Sequence, residues 1–332
     1  MRRFMLAITA AVSVALAHAS VAAAAELTFV SYAVAKPVYA KIIPAFKKQY
    51  KADTGEDVTF KESYGASGAQ TRAIVGGLEA DVLVTNVQAY VDPLVEAGLV
   101  SADWAKRLPN GASPASSVIA IVTRPGNPKN IKTWTDITAD GIQIVAINPK
   151  TSGNARWGVV AGYAALTKTA DAKAGEDYVR GLVRNTKTLV SGGREATDAF
   201  VKNRVGDVLL TFENEAKFAN KVGGQDLPYV LPETNIRVDF PATVIDKNVD
   251  KHNTRKAAEA FVKFLFSETA QVIYAENGYR PFDEKVAARF DGEFAKITRL
   301  LTIEDVGGWS AVDKALFADG ALYDQAQQSG KN

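Results

Sequence analysis

The segment IQIVAINPKTSGNARW, residues 142–157, joins a mostly apolar run to a turn rich in glycine and polar residues. The run at residues 142–147 predicts a buried strand, and the pattern after the turn predicts a helix. The same order of strand, Gly/Ser turn and helix occurs twice more, with the turns GASG at residues 65–68 and SGGR at residues 191–194. Strands that alternate with helices in this way predict an α/β fold with largely parallel sheets.

The alternation of strands and helices continues through most of the chain. Strand-like runs occur at residues 27–30, 58–60, 81–85, 118–123, 142–147, 188–190 and 207–212. Between the first two, apolar residues recur at helical spacing over residues 36–51, and Gly55 ends that predicted helix. From Thr254 onward the pattern is almost entirely helical, so these helices need a sheet or another helix to cover.

The first 25 residues have the layout of a secretory signal peptide. Arg2 and Arg3 precede an uncharged, mostly apolar stretch at residues 4–17, which is shorter than the roughly 20 residues of a membrane-spanning helix. Small residues follow, so we expect cleavage after Ala25 and export of the mature chain. Without Arg2 and Arg3 the chain carries 37 basic and 37 acidic residues. This balance lacks the excess of positive charge that is typical of nucleic-acid-binding proteins.

Length and composition fit a globular protein of two domains. The chain has 332 residues, of which 47% are hydrophobic and 23% charged, and about 150 residues is a usual domain size. Two extended runs, at residues 116–123 and 240–245, are interpreted as crossovers between lobes, and the alternative is that both are ordinary sheet strands. The predicted division is a signal peptide at 1–25, a discontinuous lobe one at 26–115 plus 246–332, and a lobe two with both hinge strands at 116–245.

The sequence offers little for catalysis. It contains no cysteine, and after the signal peptide it has one histidine, His252, in the polar segment DKHN at residues 250–253, which predicts a solvated loop. No G-x-S-x-G, P-loop or G-x-G-x-x-G motif occurs. One histidine cannot form a His-rich metal site, and an all-carboxylate site is the alternative that the sequence leaves open. With so little support for catalysis, we predict a protein that is not an enzyme and has no cofactor and no metal. The alternative is a secreted hydrolase that uses Asp81 or Glu213 as its base.

The three Gly/Ser turns point to another chemistry. At the start of a helix several backbone N–H groups lack partners, and the helix dipole adds a positive partial charge there. Glycine permits close approach of an anion, and serine adds a hydroxyl donor. A single turn of this kind is more often an ordinary N-cap, but all three follow strands, where open α/β sheets bind ligands. Two facing lobes would direct all three helix starts at one small dianion.

Four segments carry a family resemblance: SYGASG at residues 63–68, NPKTSGNARW at 148–157, SGGR at 191–194 and GDVL at 206–209. They are similar to segments of the periplasmic sulfate/thiosulfate-binding proteins of ABC importers, and the similarity runs over essentially the whole mature chain. It implies a two-lobed type II periplasmic-binding fold, in which each lobe has a mixed, mostly parallel sheet flanked by helices and two strands cross over. It also implies capture of sulfate or thiosulfate, hinge closure and delivery to a membrane permease, and we expect a monomer.

The resemblance further implies which groups bind the oxyanion. They are the hydroxyl of Ser152 and the backbone N–H groups of Ser67, Ser152, Gly153, Asn154 and Gly193. Arg156 and Arg194 would tie the loops around the site, with surface or interlobe ion pairing as the alternative. Phe212 stands where some sulfate-specific relatives have Trp, and Phe has no N–H to donate. The preference between sulfate and thiosulfate therefore stays open, and molybdate or phosphate in the same fold is a further alternative.

Overall fold

The computed structural model describes residues 24–223 and 226–329, so the predicted signal peptide lies outside it up to residue 23. The strands are β1 (Ala25–Tyr32), β2 (Val58–Gly65), β3 (Val82–Val84), β4 (Ala115–Ser117), β5 (Ile119–Thr123), β6 (Ile144–Ile147), β7 (Thr186–Val190), β8 (Val208–Phe212), β9 (Tyr229–Val230), β10 (Thr234–Ile236), β11 (Val238–Asp239), β12 (Ala242–Val244), β13 (Arg280–Pro281) and β14 (Arg299–Leu301). The helices are α1 (Lys36–Thr54), α2 (Ser67–Val75), α3 (Asp92–Glu96), α4 (Pro109–Ala112), α5 (Gly153–Thr169), α6 (Ala172–Arg184), α7 (Gly193–Val201), α8 (Glu213–Gly223), α9 (Asp246–His252), α10 (Arg255–Phe264), α11 (Glu268–Glu276), α12 (Glu284–Arg289), α13 (Gly308–Val312) and α14 (Leu322–Ser329). Within these described ranges, every helix falls short of the length and hydrophobicity that a membrane crossing requires.

The first sheet has the strand order β12-β3-β1-β2. Strand β1 runs parallel to β2 and β3, and β12 pairs antiparallel with β3 at one edge. Helix α1 covers this sheet because its apolar side chains recur on one buried face. On that face Tyr39 packs against Phe29 and Phe46 packs against Phe60. The helix predicted at residues 36–51 is confirmed, and Gly55 ends it with a left-handed φ of 73°.

The second sheet has the strand order β7-β6-β8-β5-β9. Strand β6 is parallel to β7 and β8, whereas β5 is antiparallel to β8 and β9, so the sheet is mixed. Every residue of β5 and β8 is buried, as expected for strands that are covered on both faces. Ile121 packs in the core cluster that includes α5, and its neighbour Val122 packs in the cluster that includes α7. Alternate side chains of one strand therefore hold helices on opposite faces of the sheet.

Two connections run side by side between the two sheets. Strand β4 pairs antiparallel with β11 and with β13 in a small three-stranded sheet. From β4 the chain continues into β5 of the second sheet, and from β11 it continues into β12 of the first sheet. At this junction Tyr32 stacks on Phe240 with ring centroids 5.3 Å apart, and Phe212 meets Phe240 edge-on at 5.4 Å. The two predicted crossover strands and the two-lobed fold are confirmed.

Residues 299–329, near the end of the chain, pack against elements that lie beside the second sheet. Strand β14 pairs with β10, and helix α14 packs on α6. Lys150 at the second Gly/Ser turn also forms ion pairs with Asp319 and Asp324 at 3.3 and 2.9 Å. These contacts join residues 299–329 to elements of the second sheet, whereas the sequence places these residues in lobe one. A helical pattern shows that a helix needs a partner, but it does not say which one. The lobe boundaries stay a prediction.

Candidate functional site

The first turns of α2, α5 and α7 meet at one small cavity. Each helix follows a strand, so the three starts lie where α/β sheets bind ligands. Of the five predicted ligand-binding residues, those that line the cavity are Ser67, Ser152, Asn154 and Gly193. Gly153 lies beside it and approaches the other wall so closely that a Cβ would stand 2.1 Å from Asn86 Oδ1. The other lining residues are Tyr32, Ala33, Val34, Gly65, Ala66 and Asn86.

The three helices at the cavity start without a side-chain N-cap. None of the residues preceding them caps the helix with its side chain: Ala66, Ser152 and Gly192. Elsewhere in the protein, α6, α11 and α12 are capped by the side chains of Asp171, Ser267 and Asp283, whereas α1, α9 and α10 are also without a side-chain cap. Among the hydrogen bonds of the described residues, the amides of Ser67, Gly153, Asn154 and Gly193 donate to no protein acceptor. These N–H groups, with the positive ends of three helix dipoles, are available to an anion.

Ser152 differs from the prediction in one respect. Its backbone N–H donates to the carbonyl of Asn148 at 3.0 Å, so this amide is already occupied. The resemblance implied that this amide binds the ligand, because the sequence does not show the tight turn that begins at Asn148. The Ser152 hydroxyl makes no hydrogen bond to any described residue, although the side chain is 97% buried at the cavity wall. Ser152 therefore offers its hydroxyl, and not its amide, to a ligand.

Asn86 is a cavity residue that the sequence analysis missed. It is 2% exposed, and its Oδ1 accepts a hydrogen bond of 2.7 Å from the Ser67 hydroxyl. Its backbone carbonyl accepts a hydrogen bond from the indole N–H of Trp157. Its position just after β3 could have identified it as a cavity residue, because polar residues that follow parallel strands lie at the edge where ligands bind. Asn86 orients one helix start and joins it to α5.

Several contacts join the two walls of the cavity and hold it closed. The first wall contains the start of α2 and Asn86, and the second contains the starts of α5 and α7. The N–H of Gly68 on α2 donates to the carbonyl of Thr151 before α5 at 3.1 Å. The Trp157–Asn86 hydrogen bond links the same two sides, and Trp157 is 1% exposed. A Cβ on Gly193 would lie 2.9 Å from Asn154 Nδ2 and 3.1 Å from Val34 Cγ1, so the start of α7 packs closely against α5 and, across the cavity, against Val34. The structure therefore represents a closed arrangement of the two lobes.

The two predicted arginines lie outside the cavity lining. Arg156 donates from Nε to the carbonyl of Pro149 at 3.0 Å, pairs with Asp313 at 2.5 Å and packs 5.4 Å from the ring of Tyr90. It thus ties the second turn to the end of the chain. Arg194 lies 3.2 Å from Glu215 and stacks over Phe218 at 4.3 Å. These positions fit both the predicted role of tying the loops around the site and the alternative of ion pairing.

Phe212 also lies outside the cavity lining. It is fully buried and meets Tyr32 edge-on with ring centroids 6.4 Å apart. The side chain therefore supports Tyr32, which does line the cavity, and supplies no polar atom to it.

A buried carboxylate stands behind the start of α7. Glu215 is 1% exposed, and its oxygens lie 2.7 Å from Thr197 Oγ1 and 3.2 Å from Arg194 Nη2. Burial raises the pKa of Glu215 to about 7, while Arg194 and the hydrogen bond from Thr197 act in the opposite direction. Thr197 Oγ1 is also 3.2 Å from the carbonyl of Gly193. This group of contacts fixes the helix whose first residue lines the cavity.

The two carboxylates considered as catalytic bases are enclosed by structural partners. Asp81 is 1% exposed and accepts hydrogen bonds from the Thr28 amide, the Thr254 hydroxyl and His252. Glu213 is fully buried and pairs with Arg280 at 2.7 Å. Neither carboxylate lines the cavity.

His252 corrects another expectation from the sequence. It ends helix α9 and bonds to Asp81 at 2.9 Å, whereas the sequence analysis placed it in a solvated loop. The polar residues around His252 predict an exposed loop, because the sequence does not show that Asp81 lies beside it. In the part of the chain that the structure describes, no group of three or more His, Cys, Asp or Glu side chains is arranged to hold a metal ion.

The sequence and fold have close counterparts among known proteins. Residues 27–280 match the family described as bacterial extracellular solute-binding protein. A sulfate-binding protein of Synechococcus elongatus is 42% identical over 306 residues, which are 92% of this chain and 87% of that protein. A thiosulfate-binding protein of Pseudomonas aeruginosa is 39% identical over 328 residues, which are 98% of each chain. The solved structure of the sulfate-binding protein SubI from Mycobacterium tuberculosis H37Rv matches with a TM-score of 0.81 at 37% identity, covering 88% of this chain and 99% of that one. With its two-lobed fold and its cavity between uncapped helix starts, this chain belongs to the family of bacterial extracellular solute-binding proteins.

Proposed function

We propose that this chain is a periplasmic receptor that captures sulfate or thiosulfate and delivers it to the membrane permease of an ABC importer. One observation carries the proposal: three helix N-termini without side-chain caps meet at a cavity whose lining residues are all uncharged. Each N-terminus carries about half a positive charge, so together they offset about three quarters of a dianion's charge. The names of the sulfate- and thiosulfate-binding relatives support the same ligand class.

The proposed ligand groups are sufficient in number for useful affinity. They are the Ser152 hydroxyl and the amides of Ser67, Gly153, Asn154 and Gly193. A hydrogen bond to a charged group contributes about 1.5–3 kcal/mol, so five of them give about 8–15 kcal/mol in gross terms. Micromolar affinity requires about 8 kcal/mol after the cost of closing the lobes and ordering the site. Low-micromolar or tighter binding is the expected result.

We also propose that the chain binds its ligand without turning it over. The enclosed positions of Asp81 and Glu213 support this, because a base needs to reach the bound substrate. The signal-peptide layout of residues 1–25 supports export, and mass spectrometry of the protein from a periplasmic extract should find Glu26 as the first residue. A monomer is the proposed form, and light scattering of the purified protein tests it.

Titration calorimetry with sulfate, thiosulfate, phosphate and molybdate tests the proposed function. Sulfate or thiosulfate should bind most tightly, and equal affinity for all four anions, or no binding, would reject the proposal. Two adjacent glycines provide a matched pair of variants. Gly193→Val should weaken binding at least about tenfold, because its side chain meets Asn154 and Val34, whereas Gly192→Val faces open space and should bind as the wild type does.

A further inference from the structure

The side chain of Asn154 has an unusual environment for a buried amide. It is 2% exposed and lines the cavity, and its Nδ2 donates to Thr211 Oγ1 at 3.2 Å. Its Oδ1 is buried and has no hydrogen-bond partner among the described residues. Buried polar atoms in folded proteins nearly always have partners, and one without a partner destabilises the fold. The amide therefore has one bonded edge and one edge without a hydrogen-bond partner in the described structure.

Rotation of the amide does not supply this missing partner. After a 180° turn, the Thr211 hydroxyl can donate to Oδ1, because a hydroxyl both donates and accepts. The Nδ2 group then takes the place of the unpartnered atom. In one orientation the open edge presents an acceptor, and in the other it presents a donor. No other adjustment within Asn154 and Thr211 satisfies both edges.

Among the other side chains at the cavity, the Ser152 hydroxyl can also donate or accept. The Ser67 hydroxyl is bonded to Asn86 Oδ1, which fixes both groups to each other. The remaining proposed ligand groups are backbone N–H donors. A site made only of these backbone donors would leave the O–H of a protonated oxyanion without an acceptor.

We propose that the side-chain amide of Asn154 binds the oxyanion directly and adapts to its protonation, donating N–H to a fully ionised oxygen and accepting O–H from a protonated one. This inference rests on the proposed function, since it assigns a second role to a residue of the same cavity. Asn154 then makes the site more tolerant of hydrogen phosphate than its backbone donors alone would be. The residue thereby determines how strongly the protein discriminates between two dianions of the same shape.

Binding of sulfate and inorganic phosphate to two variants at pH 8 tests this inference. At that pH both anions are mainly dianions, so the ratio of their dissociation constants cancels the effect of charge. Asn154→Leu should weaken sulfate binding about tenfold or more, because a hydrogen bond to a charged group is lost. Asn154→Asp presents only acceptors and should shift the sulfate-to-phosphate preference at least about tenfold toward phosphate. Asn248→Leu replaces a buried asparagine that bonds to Ala80, far from the cavity, and should retain wild-type affinities.

The outcomes separate this inference from the proposed function. Wild-type sulfate affinity in Asn154→Leu, or an unchanged anion preference in Asn154→Asp, would overturn the role of the side chain while leaving the receptor function intact. Failure of the wild-type protein to bind sulfate or thiosulfate would overturn both. Thermal melting of the ligand-free variants shows whether each is folded, and Asn154→Leu decides the question if Asn154→Asp does not fold.

Discussion

Replacing Gly153 by alanine should separate the two walls of the cavity while leaving each lobe folded. Gly153 is the first residue of α5, and a Cβ there would lie 2.1 Å from Asn86 Oδ1 and 2.7 Å from Val87 Cγ2. Ordinary contacts of a Cβ begin near 3.4 Å, so the walls must move apart by about 1 Å. Asn86 cannot simply turn away, because Ser67 Oγ holds its Oδ1 at 2.7 Å.

The expected loss of affinity follows from the contacts that this movement strains. Overpacking a well-packed contact costs about 1–3 kcal/mol. The hydrogen bonds from Gly68 to Thr151 and from Trp157 to Asn86 cross the same boundary and contribute about 1 kcal/mol each. The closed form should therefore be destabilised by about 3–5 kcal/mol, which raises the dissociation constant at least about 100-fold. The open form has no such overlap, so the melting temperature of the ligand-free protein should change little.

A second glycine of the same helix provides the control. Gly158 is also buried in α5, but its Cβ would meet only Leu210 at 3.6 and 3.7 Å, which are ordinary contacts. Gly158→Ala should retain wild-type affinity and stabilise the helix by up to about 1 kcal/mol. Calorimetric titration with sulfate and thiosulfate measures both variants. The reasoning is refuted if Gly153→Ala binds within threefold of the wild type, or if Gly158→Ala loses as much affinity.

Three further substitutions test the surroundings of the cavity. Ser67→Ala removes the hydrogen bond to Asn86 but keeps the amide, so calorimetry should show a two- to tenfold loss of affinity, and a loss above 100-fold would mean that the hydroxyl itself binds the ligand. For Glu215 the pKa in the folded protein is about 7 and lies above that of the unfolded chain, so the wild-type free energy of unfolding should fall by up to about 3 kcal/mol as pH rises from about 4.5 to 7. Urea unfolding of Glu215→Gln should lack this fall, and an identical pH profile would contradict the assignment. The pKa of His252 is raised, chiefly by its hydrogen bond to Asp81, so its stabilisation is complete below about pH 6.5 and is lost as pH rises through the folded value. His252→Asn should therefore differ most from the wild type near pH 5.5 and least near pH 9, and a constant difference would exclude titration of this residue as the cause.

The main elements of the fold could be predicted because their hydrophobic pattern is periodic. The strand at residues 142–147 and the helix over residues 36–51 are long enough for alternation or helical spacing to be clear. The small sheet of β4, β11 and β13 had no such signal, because strands of two or three residues form only where a partner strand is supplied by the rest of the fold. The packing of α14 on α6 is a choice between apolar faces, and the sequence does not distinguish among them.

The candidate site was predictable where glycine and serine mark the start of a helix. The three turns led to Ser67, Gly153 and Gly193, and the structure brings all three helix starts together. Asn86 follows its strand as an isolated asparagine, a residue type that occurs in many loops, so only its contacts reveal its role. The occupied amide of Ser152 depends on the geometry of one turn, which composition does not specify.

The cavity also suggests why closure should depend on the ligand. Three helix N-termini, each with about half a positive charge, face one another across the cavity. Without an anion these like charges repel, and at least four backbone N–H groups remain without a partner in the described structure. The amide of Ser67 belongs to the first wall, whereas those of Gly153, Asn154 and Gly193 belong to the second, so only the closed form places all of them around one ligand. The hydrogen bonds between the walls from Gly68 to Thr151 and from Trp157 to Asn86 contribute about 1 kcal/mol each. We therefore expect the ligand-free protein to open and a bound dianion to shift it to the closed form. The permease would then meet the closed form mainly when the cavity is occupied.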